Sequence, residues 1–248
     1  MRVLAAAKDE STNERNGAVL AVATDEQDGG TKIEAPDRPR LRGWSHVVAA
    51  VAAIAIAPVL IAFASPGAGR VVAAIYGCGV IGVFLVSGIY HRLAWTTRFQ
   101  GLFRRLDHSM IFVFIAATYT PFAAFALDGA ASTFLLWFVW VGALIGISIR
   151  LFWLSAPRWV TIAPYLVVGW CALLVVDDIW RGVGQTGFLL VVIGGALYTL
   201  GALVYAGRRP NPVPEWFGYH EVFHALVVGA VAVHYVAVAF FALPLASA

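Results

Sequence analysis

The sequence predicts an all-α polytopic membrane protein with seven transmembrane helices and a cytoplasmic N-terminus. Three observations predict it. First, 60% of the residues are hydrophobic and only 12% are charged, against about 25% charged in an average soluble domain. The mean hydropathy is +0.80. Second, seven apolar runs approach or exceed the roughly 20 residues that cross about 30 Å of hydrocarbon as a helix. Third, arginines gather in alternate loops, as the positive-inside rule requires.

The first 44 residues stand apart as a polar tail, expected to be disordered and cytoplasmic. Residues 1–42 carry seven Lys+Arg and eight Asp+Glu, leaving ten basic and six acidic residues for the other 206. Few large apolar side chains are available there to form a core. No basic stretch leads into an apolar one, so no cleaved signal peptide is expected. The net charge of +3 does not imply a nucleic-acid partner, because the basic residues lie in the tail and loops. Cys78 and Cys171 sit singly within apolar runs, which indicates neither a disulfide framework nor a thiolate zinc site.

The runs are 45–64, 71–91, 108–127, 131–149, 159–176, 187–206 and 219–242. Connections are short except 92–107 and 207–218. Pro58, Pro121 and Pro164 fall inside runs, where kinks are expected. In the sixth run, Gly194 and Gly201 are seven residues apart, as are Gly195 and Ala202. These pairs predict a small-residue face for close helix packing. Arg38, Arg40 and Arg42 precede the first run, and eight further arginines lie in the second, fourth and sixth connections. Only Arg70 and Arg181 lie on the other side. This asymmetry puts the N-terminus inside, in a multi-pass protein of the cell membrane.

The chemistry-bearing stretch is His220-Glu221-Val222-Phe223-His224. Histidines four residues apart share one helical face and can hold one metal ion. The predicted topology brings His91, at the end of the second run, and Asp107, beside the third, to the same depth. Ser87 lies one helical turn before His91. Polar groups at membrane depth are costly and usually functional. Three imidazoles with an open fourth position form a known catalytic zinc arrangement. His91, His220 and His224 are therefore the expected zinc ligands. Asp107 is expected to act on the attacking water as base or orienting group. Ser87 is read either as an oxyanion donor or as a hydroxyl bonded to its own helix. Glu221 completes an H-E-x-x-H pattern and is the alternative base. It could equally be an acid favoured by a helix N-terminus. His46 and His234 are read as packing or hydrogen-bonding residues. His108 points about 100° away from Asp107 around the helix.

Ser87-Gly-Ile-Tyr-His91, Leu106-Asp107-His108-Ser109, Ala117-Thr-Tyr-Thr-Pro121 and His220-Glu-Val-Phe-His224 together resemble the haemolysin III family. That family belongs to the progestin and adipoQ receptor superfamily, which is grouped with alkaline ceramidases. The resemblance spans 45–242 in order. It implies seven helices and a cytoplasmic-side zinc site. Matched by position, His91, His220 and His224 are the metal ligands, and Asp107 and Ser87 are the flanking acid and serine. It also implies a zinc-dependent hydrolase of a lipid amide or ester, with membrane lipid as both solvent and possible substrate. A receptor with structural zinc and a pore-forming cytolysin are the alternatives.

Overall fold

The computed structural model describes residues 39–93, 97–153 and 158–247. Residues 1–38 of the predicted tail, 1–44, lie outside them. The described residues are almost wholly helical, with one isolated antiparallel bridge between Val213 and Phe217. The helices are α1 (Trp44–Phe63), α2 (Ala68–Arg92), α3 (Thr97–Phe125), α4 (Gly129–Phe152), α5 (Arg158–Gly169), α6 (Val176–Gly207) and α7 (Tyr219–Ala237). A 3-10 turn, Cys171–Val175, joins α5 to α6, and α7 runs on through a π turn into a short 3-10 end.

Six helical stretches among the described residues are long and apolar enough to cross a membrane. The fifth and sixth predicted runs fall together in one of them, Ala163–Gly207, of 45 residues. At about 1.5 Å per residue such a stretch measures about 68 Å, more than twice the hydrocarbon thickness. Its helical path breaks at Gly184, with φ 68° and ψ 178°, a backbone state almost confined to glycine. Pro58, Pro121 and Pro164 are carried inside α1, α3 and α5 without ending them. The outward faces are apolar: Phe63, Trp137 and Phe152 are 87%, 69% and 88% exposed. Such surface belongs against lipid rather than water. The chain is an integral membrane protein.

Two helices start earlier than the sequence predicts: α6, at Val176 rather than 187, and α3. The connection 92–107 contains the first turns of α3, which begins at Thr97. The segment Arg98–Leu106 has no proline, and its leucines and arginines are good helix formers. Its charges lower its hydropathy below that of a spanning run, so hydropathy alone reads it as a loop. Its exposed Phe99 and Leu102 alternate with arginines, as suits an interfacial helix.

Consecutive helices α1 to α4 pack as antiparallel neighbours, α6 lies along α7, and α7 closes against α1. The core between them includes Tyr76, Phe112, Leu135, Val139 and Ile179, each at most 1% exposed. Of the small-residue face predicted for the sixth run, the Gly194/Gly201 pair makes a contact, whereas Gly195 has open space beside it. Gly194 is buried directly beneath the His234 ring, and Gly201 faces Phe223 and Leu226. His234 Nε2 lies 3.1 Å from the Val191 carbonyl, so this buried imidazole packs and hydrogen-bonds within the α6–α7 interface.

Candidate metal centre

The start of α7 is fixed by its own sequence. Gly218, in extended backbone, precedes the helix, and its N–H donates to Glu221 Oε2 at 2.9 Å. The acid thus satisfies an otherwise free amide at the positive end of the helix. His220 and His224 follow on the first two turns. Four residues at about 100° each bring the two side chains within about 40° of one another around the axis. His91 approaches from the last turn of α2, one residue before that helix ends at Arg92.

The three imidazoles meet. Each offers a nitrogen, and these atoms all lie within 4.8 Å of one another. His220 Nε2 and His91 Nε2 are 3.4 Å apart. Two ligands at about 2.0–2.1 Å from a tetrahedral zinc stand about 3.3 Å apart, so this pair already has the spacing. Ring centroids are 4.8 Å apart for His91–His220, 4.9 Å for His91–His224 and 4.5 Å for His220–His224. His224 is only 2% exposed, and its Nδ1 has no hydrogen-bond partner among the described residues. A buried orphan nitrogen is costly, and a metal or its solvent would satisfy it. The donor set therefore fits zinc. Asp107 is not part of this group of close donor atoms.

Asp107 belongs to a neighbouring polar cluster. It is hydrogen-bonded to the Ser87 side chain and lies within the field of Arg150. The Ser87 hydroxyl proton is thus directed at a carboxylate. Arg150, in the last turn of α4, is 3% exposed. In the sequence it stands only as a loop cation between two apolar runs. Its field also reaches Tyr165, whose hydroxyl donates to the His108 carbonyl at 3.0 Å. A buried guanidinium beside a carboxylate compensates a charge that neither could easily carry alone. His108 Nδ1 lies 2.8 Å from the Arg104 carbonyl and 3.5 Å from Asp107 Oδ2, so the ring stays close to the acid it was expected to point away from.

Two further residues come to the centre from just before and within α1. His46, 3% exposed, lies flat on the His224 ring, with centroids 3.8 Å apart and planes 10° apart. Phe84 closes its other side edge-on at 5.1 Å. Stacked rings hold their in-plane lone pairs in nearly parallel planes, so an ion in the plane of the His224 ring lies out of the plane of His46, which supports that ring and does not converge with it on one ion. Arg42 pairs through Nε with Glu221 Oε1. Both Glu221 oxygens are thereby occupied, one by Arg42 and one by the Gly218 amide. Sequence spacing carries no sign of the Arg42 contact, because the partners are 179 residues apart.

Residues 35–235 match the model of the family described as "Haemolysin-III related". Hemolysin-3 of Bacillus cereus is 31% identical over 206 residues, covering 82% of this chain and 91% of that protein. The Hemolysin-3 homolog of Bacillus subtilis (strain 168) is 30% identical over 167 residues, 67% of this chain and 75% of its own length. The Monocyte to macrophage differentiation factor of Homo sapiens is 28% identical over 173 residues, 68% and 69% of the two chains. The family match runs from before α1 to Tyr235, near the end of α7, and so includes the helices that carry the histidine cluster; the chain belongs to the haemolysin III-related family.

Proposed function

We propose that the protein is a zinc-dependent hydrolase of the cell membrane that cleaves a lipid amide or ester. The observation that carries this reading is the convergence of His91, His220 and His224 from two helices, with nitrogens within 4.8 Å. Zinc, when bound, supplies Lewis acidity and makes water nucleophilic near neutral pH. The rest of the chemistry falls to this chain's own side chains. Asp107 takes the proton of the attacking water and returns one to the leaving nitrogen or oxygen. Ser87, bonded to Asp107, holds the carboxylate in place. Arg150 balances its charge within an apolar bundle. Glu221 is held by Arg42 and Gly218, which favours Asp107 over it as the base.

The reading includes seven crossings with the N-terminus in the cytoplasm. The 45-residue stretch broken at Gly184 supplies two crossings, and the arginine asymmetry sets the direction. Similarity to the human differentiation factor supports membership of the progestin and adipoQ receptor superfamily. A receptor with structural zinc uses the same three ligands and is separated from a hydrolase only by activity. A pore is suggested by the name Hemolysin-3 of the Bacillus cereus relative. It would call for a polar stripe along the bundle. The buried hydroxyls of Thr118 and Thr120 instead donate to the Phe114 and Ala116 carbonyls of their own helix, each at 2.8 Å.

The test is Asp107→Asn in purified protein offered a ceramide-like amide. The change keeps the shape and removes the basicity. The rate should fall by about 10²–10⁴-fold while the metal stays. Hydrolysis at the wild-type rate removes Asp107 from the chemistry and brings Glu221 forward. A wild-type protein that holds zinc but cleaves nothing on a broad lipid panel makes the receptor reading the better one.

A further inference from the structure

We propose that Pro39–Gly43 is a strap latched across the histidine cluster by the Arg42–Glu221 ion pair, making Arg42 a positioning residue for the metal ligands. Five contacts carry the inference. The Arg40 N–H donates to the Glu215 carbonyl at 2.9 Å, and the Leu41 N–H to the Trp216 carbonyl at 3.2 Å. The Arg40 guanidinium lies 4.6 Å over the Trp216 ring. Arg42 binds Glu221. Gly43, with φ +79°, lies so close to His91 that a Cβ there would stand 2.6 Å from the His91 Cβ.

The strap thus touches both halves of the cluster. Glu221 adjoins His220 in α7, and Gly43 rests on His91 in α2. The Glu221 carboxylate is the common anchor, because its second oxygen holds the Gly218 amide that starts α7. Its side chain is 3% exposed, against 19% for Arg42. Removing Arg42 would leave a buried carboxylate uncompensated, which is strongly unfavourable. Relief comes by moving α7's first turn toward solvent, and His220 and His224 move with it. An intact latch therefore keeps the ligands assembled and slows exchange of the ion with bulk solvent.

The role in metal retention rests on the zinc reading above; the latch itself does not. The test uses the full chain in lipid nanodiscs, as wild type, Arg42→Gln, Arg42→Lys and Glu221→Gln. Glutamine at 221 keeps an acceptor for the Gly218 amide. Zinc release to excess chelator should be about 10–100-fold faster in both glutamine variants, the range for groups that orient ligands. Arg42→Lys should stay close to wild type. Cobalt-substituted protein should show an altered visible spectrum in the glutamine variants alone. Amide hydrogen exchange over 39–43 and 215–222 should rise in the same two variants, with or without metal. Equal behaviour of Arg42→Lys and Arg42→Gln overturns the latch, as does unchanged exchange and release in both glutamine variants. Faster amide exchange in the two glutamine variants, beside a wild-type protein that never binds zinc, supports the strap and overturns the zinc reading.

Discussion

Replacing Gly43 with alanine adds one methyl group at a point where the structure has no room for it. Two costs can be worked out. Gly43 has φ 79° and ψ −8°, the left-handed region, where a non-glycine residue costs about 1–2 kcal/mol. The new Cβ would stand 2.6 Å from the His91 Cβ, whereas carbon atoms rest about 3.5–4.0 Å apart. One side must yield by about 1 Å, and overpacking of this kind costs about 1–3 kcal/mol. His91 can yield only by shifting the end of α2, since the contact is with its Cβ and not with a mobile tip. The strap can yield only by loosening Arg42 from Glu221. Both routes disturb the cluster, so zinc affinity should fall by about 10–100-fold. Competition against a fluorescent chelator in detergent measures this directly. Gly43→Asn separates the two costs, because asparagine tolerates the left-handed region better yet still carries a Cβ. It should lose zinc affinity about as much as alanine does. Wild-type affinity in Gly43→Ala would refute the claim that this turn bears on His91.

Two other outcomes are expected. Gly194→Leu drives a side chain into the buried His234 ring and should destabilise the α6–α7 contact by about 1–3 kcal/mol, read as a lower Tm in a thermal-shift assay; an unchanged Tm would contradict this packing. Reporter fusions after Arg105 and after Asp178 should report opposite sides of the membrane, and the same side for both would contradict the proposed topology.

Much of the bundle was legible because bilayer crossing imposes one simple demand, long apolar helices. The histidine pair was legible because four residues make just over one helical turn. His91 was found through topology, which placed the end of one run beside the start of another. Other features depend on tertiary neighbours. Arg150 reads as an ordinary positive-inside residue until the bundle buries it beside Asp107. His46 shows nothing in its local sequence of the His224 ring lying flat against it. Glu221 belongs to a pattern that suggests a base, yet its carboxylate is held by an arginine from the other end of the chain. The first turns of α3 are not legible in hydropathy, because charged interfacial helices lack the hydropathy of a span.

The central claim is that three histidines hold one zinc ion. Elemental analysis of purified protein, wild type beside His224→Ala, tests it most directly. About one zinc is expected per wild-type chain, with a large loss in the variant, whose two remaining imidazoles are too few for a stable site. Zinc-free wild-type protein, prepared without chelators, would contradict it, and so would full occupancy in His224→Ala.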